Sequence, residues 1–191
     1  MSSKILMFKM FNMKAKLMII RQEKLSDYDE VYQLVKTSFT TAKTDGTEPD
    51  EQDYLNELRK KDCFIPELSL VAESDDGKII GQIVLYKTII TMPRGELVEL
   101  LLSPISVHPD YFRRGIARAM IDEALRIAAK MGFKAVFLCG EPEIYKRLGF
   151  TPAHHYNIFH KDDDSKTARW SMVRELYGDA LNGITGTIDT V

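Results

Sequence analysis

The strongest constraint in this chain is a long helical pattern that starts without a cap. Ile116, Met120, Ala124, Ile127, Ala128 and Met131 fall on one face of a helix spanning Gly115 to Met131, and Gly132 supplies its stop. The first N–H groups of any helix lack partners inside it, and a Ser, Thr, Asp or Asn usually accepts from some of them. Here Phe112, Arg113 and Arg114 stand in front of Gly115, and Asp110 is too far upstream for ordinary cap geometry. A bound anion would satisfy the helix end, because its free N–H groups and the positive end of its dipole point the same way. Gly115 and Ala117 are small enough to let oxygens approach the backbone, and Arg113, Arg114 and Arg118 add local positive charge. FRRGIAR is thus predisposed to a polyphosphate, with a merely solvated Arg-Arg-Gly loop as the plainer alternative. It is not a Walker A loop, which would end in Gly-Lys-Ser/Thr, and a dinucleotide fold is disfavoured because no second glycine precedes Gly115.

The remaining pattern places this helix in a mixed α/β chain. Leu17 to Arg21 reads as a strand, and SDYDEVYQLVKTSF from Ser26 as a helix opened by something close to a capping box, with Asp29 three positions on. A more polar helix starts at Asp50. Leu68 to Ser74 and Ile79 to Thr91 form a predicted hairpin about the turn Asp75-Asp76-Gly77-Lys78. Leu97 to Val107 is a further strand, and its Pro104 predicts a bulge because proline cannot donate to a sheet ladder. Ala135 to Cys139, a short helix from Pro142 to Leu148, and strands at Tyr156 to His160 and Arg169 to Leu176 follow. The tail from Tyr177 is weakly structured by pattern. The order β-α-α-β-β-β-α-β-α-β-β describes one sheet with flanking helices, and nothing divides the chain except a predicted N-terminal extension, residues 1–16, before a single domain over 17–191.

Composition narrows the partners. The formal net charge of −2 offers no global field for nucleic acid or an anionic membrane, so any anion site is local. Binding of nucleic acid through Arg113, Arg114 and Arg118 is disfavoured on the same ground. Lys4, Lys9, Lys14 and Lys16 break the apolar start before a signal sequence can form, and no apolar run is long enough to span a membrane. Cys63 and Cys139 stand far apart and outside any CxxC or Cys/His cluster, which predicts no disulfide scaffold, no zinc site and a reducing cytoplasm.

Two motifs then carry a family resemblance. SPISVHPDYFRRGIARAMIDEAL resembles the strand, turn and helix of the GNAT superfamily of acetyl-CoA-dependent N-acetyltransferases, whose signature is Gln/Arg-x-x-Gly-x-Gly/Ala; IYKRLGF is similar to that family's later Tyr-x-x-x-Gly-Phe element. The resemblance covers about residues 17 to 160 and is nearest to a bacterial subgroup of predicted acetyltransferases, including a C-terminal VRELYGDALNGITGTI segment. It implies a mostly antiparallel central sheet whose fourth strand is bulged and splayed from the fifth, with acetyl-CoA lying in the gap. Ile105, Ser106 and Val107 would pair with the pantetheine arm, and Arg113, Arg114, Gly115, Ile116, Ala117 and Arg118 would hold the pyrophosphate. Phe112 replaces the signature's Gln/Arg, which shifts the weight onto the backbone N–H groups of the loop.

The resemblance also implies a reaction: direct transfer of acetyl to a primary amine of a small molecule or peptide, without a metal. Tyr145, four residues before Gly149, matches the family's general-acid tyrosine; packing of a short helix is its alternative role. Glu99 is the candidate base, with Glu141 as rival and an ordinary solvated carboxylate as the alternative for either. His108 reads as a loop residue, His154 and His155 receive no role, and Cys139 reads as a small buried strand residue, not an acetylated nucleophile. A non-catalytic acyl-CoA-binding sensor is the competing function, and monomeric and homodimeric assembly both stay open.

Overall fold

A computed structural model describes residues 18–42 and 50–190; the expected extension over residues 1–16 lies outside them. The elements in chain order are β1 (Ile19–Gln22), α1 (Tyr28–Ala42), α2 (Glu51–Leu58), β2 (Phe64–Glu73), β3 (Ile79–Thr91), β4 (Glu96–Val107), α3 (Ile116–Lys130), β5 (Ala135–Cys139), α4 (Pro142–Tyr145), β6 (Thr151–Pro152), β7 (Ile158–His160), β8 (Ser171–Glu175) and β9 (Gly186–Ile188). They build one sheet in the order β1-β2-β3-β4-β5-β8-β6, with β9 joined to β3 and β7. Every pairing along the main path is antiparallel except β4 with β5. The sheet is thus mostly antiparallel, as the resemblance implied.

The strands are apolar on both faces because helices cover both. Leu70, Ile83, Leu85, Leu100, Leu102, Val136, Leu138 and Met172 face α3, whose Met120, Ile121, Ala124 and Ala128 pack on them. Their immediate neighbours Val71, Val84, Tyr86, Leu101, Phe137 and Val173 join Val31, Leu34 and Val35 of α1 and Leu55 and Leu58 of α2 on the other side. Alternate residues thus serve alternate cores, which is the two-residue period of a strand read at full burial.

The bulge predicted at Pro104 is present. Ile83 lies opposite Ile105, but Leu85 lies opposite Leu102, so Ser103 and Pro104 together face one residue of β3. Beyond it β4 loses its other neighbour, since β5 pairs with β4 only at Leu100 and Leu101.

Three local expectations change. The chain enters α1 through a short 3-10 turn, Leu25–Asp27, and Asp27, not Ser26 or Asp29, takes the capping role by accepting the Lys24 N–H at 2.7 Å. Arg21 donates to the same carboxylate at 2.6 Å and holds its pKa below the usual carboxylate range, so the cap is tied to β1. β2 begins at Phe64, four residues earlier than its apolar run, because a register shift before Ser69 absorbs Pro66 and Glu67. The tail contains β9, which pairs with the end of β3 and runs parallel to β7; three residues of pairing are too short a signal to stand out in sequence.

Met120 is fully buried at the centre of the contact between α3 and the sheet. Met120→Ala is expected to lower unfolding free energy by about 2–5 kcal/mol, read from the urea midpoint at unchanged slope.

Candidate active site

The gap that opens between β4 and β5 forms one wall of a groove of about 550 Å³. Its lining joins β4 (Ile105, Ser106, Val107), the start of α3 (Gly115, Ile116, Ala117, Arg118, Ile121) and the α4 region (Ile144, Tyr145, Leu148). A second depression of about 720 Å³ lies between α1 and α2, but its Arg59 is already paired with Glu23 and stacked over Tyr28.

The β4 wall is an open strand edge. The His108 N–H donates to Ile80 O at 2.9 Å, and Ser106 lies opposite Gln82. Alternate residues of an antiparallel strand turn their N–H and C=O to opposite edges. Ile105 and Val107 therefore turn theirs away from β3, where among the described residues no strand meets them. The Val107 carbonyl accepts from Ser38 Oγ at 2.8 Å, so the free groups on this edge centre on Ile105 and the Val107 N–H.

The opposite wall is the uncapped helix end anticipated from sequence. Gly115 is the N-cap of α3, has φ of 79°, and provides no side-chain cap bond. The first helical bond runs from Ala119 N–H to Gly115 O at 3.0 Å, which leaves the N–H groups of Ile116, Ala117 and Arg118 without helical partners. Asp110 does not supply the cap: it sits in a separate 3-10 turn, Pro109–Tyr111, where its own N–H donates to His108 Nδ1. Arg113 also has positive φ, 60°, so the chain turns sharply on both sides of Arg114. Such alternation of backbone hand makes N–H groups converge on a concavity suited to an anion. Space for it exists, since nothing lies within 4 Å of where a Gly115 side chain would start.

Among the described residues no carboxylate pairs with Arg113, Arg114 or Arg118. Arg118 donates to the Arg147 carbonyl and so ties the start of α3 to the end of the α4 region across the groove. Arg113 lines the groove, whereas Arg114 turns to the far side of Gly115. There it lies over Tyr111, donates to Asp110 O at 2.8 Å, and borders a smaller cavity of about 240 Å³ with Met18 and Ile80. Phe112 lines the groove and is 46% exposed, so its ring is wall material and its backbone stays in ordinary extended geometry.

Tyr145 lines the same groove between Ile144 and Leu148. Its ring meets Phe150 edge-on, with centroids 5.8 Å apart, and burial pushes its phenol pKa up. Its hydroxyl makes no hydrogen bond among the described residues. The packing alternative raised for this residue is met, since the ring packs on Phe150, and the residue also borders the groove.

Glu99 is brought elsewhere. It is 1% exposed on the α1/α2 side of β4, shares that side with Leu101, and is not part of the groove lining. One oxygen accepts the Lys134 N–H at 2.9 Å and the Ala135 N–H at 3.1 Å, so the carboxylate closes the start of β5. Burial raises its pKa against these two bonds. Glu141 is the exposed N-cap residue of α4 without a side-chain cap bond. Cys139, expected to be buried, is exposed at the end of β5, with Sγ 3.6 Å from Thr190 Oγ1, because the strand ends where its neighbour has parted from it. Among the described residues no three His, Cys, Asp or Glu side chains converge as a metal-ligand set.

Tyr111, Ile121, Ile144 and Leu148 line the groove without having been singled out from sequence. Each reads there as ordinary apolar helix or loop pattern, and only tertiary packing turns it toward this wall.

Known proteins share the fold. Residues 19–153 match the family model described as an acetyltransferase (GNAT) domain. The uncharacterized N-acetyltransferase YhbS of Escherichia coli K12 is 30% identical over 173 residues, spanning 90% of this chain and 95% of that protein. Its crystal structure in complex with CoA superposes with a TM-score of 0.79 at 28% identity, over 93% of this chain and 92% of that one. An acetyltransferase from Brucella melitensis in complex with acetyl-CoA shares the fold, with a TM-score of 0.70 at 24% identity over 92% and 97% of the two chains.

Removing the Glu99 carboxylate separates structure from chemistry. Glu99→Ala leaves the Lys134 and Ala135 N–H groups, the latter buried, without their acceptor and is expected to cost about 1–3 kcal/mol in chemical denaturation. The charged form is the disfavoured one, so wild-type stability should fall as pH rises through the raised Glu99 pKa. Glu99→Gln, which can still accept both bonds, should lose that slope.

Proposed function

The chain belongs to the GNAT acetyltransferase family, and from that premise we propose that its groove binds acetyl-CoA and passes the acetyl group directly to a primary amine. The observation that carries this reading is the meeting, in one groove, of an uncapped helix end, an open strand edge and a half-buried tyrosine. The N–H groups of Ile116, Ala117 and Arg118, with Arg113 and Arg118 beside them, fit the coenzyme's phosphates. Arg114, on the far side of the loop, adds charge from outside the groove. The Ile105 to Val107 edge fits the extended amide-bearing arm, which can pair with it as another strand would. Residues 17–191 act as one acetyltransferase domain in this reading.

The bound thioester supplies an activated acetyl group. The protein supplies proton management around it. An alkylamine of pKa about 10.4 is mostly charged at neutral pH and must lose a proton before it can attack. Tyr145, kept protonated by burial over a wider pH range than a free phenol, is the donor to the departing sulfur. Glu99 is the proposed proton acceptor: it lies outside the groove, so the amine's proton would reach it through a chain of water, and its raised pKa is what supports its fit as a base. Its proton uptake would fail as pH falls through that raised value. The acceptor is an amine on a small molecule or peptide. Free thiols at Cys63 and Cys139 suit a reducing cytoplasm, and among the described residues no helix is long and apolar enough to cross a membrane.

Calorimetry with coenzyme A tests the placement: Gly115→Trp should lose binding, because any side chain there strains a backbone of positive φ and fills the approach to the N–H groups. Unchanged affinity would contradict it. Thiol release across a panel of primary amines tests catalysis. With the best acceptor, Tyr145→Phe should lower kcat about 100-fold with little change in coenzyme A affinity. Equal turnover by Glu99→Gln and wild type would remove Glu99 from the reaction and leave it the backbone partner of β5. Binding without thiol release from any amine would instead support a non-catalytic acyl-CoA sensor.

A further inference from the structure

The glycine after β5 has no conformational reason to be glycine. Gly140 is absent from the positive-φ positions of the chain, so a left-handed backbone is not what calls for glycine there. Its N–H is held by the Trp170 carbonyl at 2.9 Å, which anchors it to the entry of β8. What a side chain would meet there is Tyr145. A methyl group on Gly140 would overlap Cε2 of the Tyr145 ring, lie 2.9 Å from its Cδ2, and come within 3.3 Å of Leu138 Cδ1. Phe150, 1% exposed, also packs on the ring, edge-on.

We infer that Gly140 is a positioning residue for the reaction: its missing side chain forms the slot that sets the Tyr145 ring, and thereby its hydroxyl, against the groove. The inference rests on Tyr145 being the proton donor proposed above. Neither wall of the slot can yield readily, since Gly140 is hydrogen-bonded at its backbone and Phe150 is core. The ring would relieve an added methyl by swinging, and a swing about its side-chain torsions carries the hydroxyl furthest. A displacement near 1 Å at a reacting group can cost on the order of 100-fold in rate. The groove's phosphate-facing end, at Gly115 to Arg118, lies on another element and is left untouched.

The test is a double-mutant cycle of Gly140→Ala with Tyr145→Phe. Thiol release from acetyl-CoA is followed with the fastest amine of the panel, coenzyme A affinity by calorimetry, and the Tyr145 ring by NMR of ¹³C-labelled tyrosine, assigned by its loss in Tyr145→Phe. Gly140→Ala is expected to shift the Tyr145 ring signal, to lower kcat about 10- to 100-fold, and to keep the coenzyme A dissociation constant within about threefold. In the Tyr145→Phe background the same glycine change should lower kcat no further, because the hydroxyl it misplaces is gone.

Slow Tyr145→Phe beside a fully active Gly140→Ala would overturn the inference and leave the proton-donor role standing. An equal loss from Gly140→Ala in both backgrounds would also overturn it, by showing an effect through the backbone. Full activity of Tyr145→Phe would remove the reading on which the inference rests. If Gly140→Ala does not fold, Phe150→Leu loosens the ring's edge-on packing and carries the same cycle, with the same expected loss of kcat at retained coenzyme A affinity and the same overturning results.

Discussion

Everything at this site depends on a parting of two parallel strands. β4 and β5 are paired at Leu100 with Val136 and at Leu101 with Phe137, and at no further position. Past that point β4 carries an extra residue, spread over Ser103 and Pro104, and its free edge faces a groove in place of a neighbour. Hydrogen-bonding groups on an open edge seek a partner. An extended ligand with amides of its own can satisfy them, so the interruption of the sheet is what makes the proposed binding surface available.

The opposite wall follows from how α3 is anchored. Met120, Ala124 and Ala128 are fully buried against the sheet, which fixes the helix axis and therefore where its first turn ends. That turn arrives with unpaired N–H groups and cationic side chains beside the open strand edge. The protein as a whole is slightly acidic, so positive charge is concentrated locally where the helix end and arginine side chains coincide. Arg118 adds a mechanical role by bonding the carbonyl of Arg147. The same contact holds the α4 region, and with it Tyr145, against α3.

Much of this was legible because local chemistry repeats short rules. The uncapped start of α3, the bulge at Pro104 and the mixed α/β order each rest on residues a few positions apart, and each appears as expected. Asp27 could not be singled out over Ser26 and Asp29, because the choice depends on Arg21 reaching it from β1. The short β9 was invisible for a similar reason: its partners are β3 and β7, and its own residues carry little pattern. Arg113 and Arg114 are adjacent in sequence, yet only one lines the groove, because positive φ at Arg113 reverses the chain between them.

Sequence by itself determined that a helix begins at Gly115 without a cap, that β4 is broken near Pro104, and that a tyrosine stands four residues before Gly149. These are properties of neighbouring residues, set by backbone hydrogen bonding and by proline and glycine geometry. Tertiary structure alone decided that Glu99 turns away from the groove to bind the N–H groups of Lys134 and Ala135. It alone seated the Tyr145 ring against Gly140 and Phe150. Those outcomes depend on packing between segments that the chain brings together only once both faces of the sheet are covered, and no spacing within one segment encodes them.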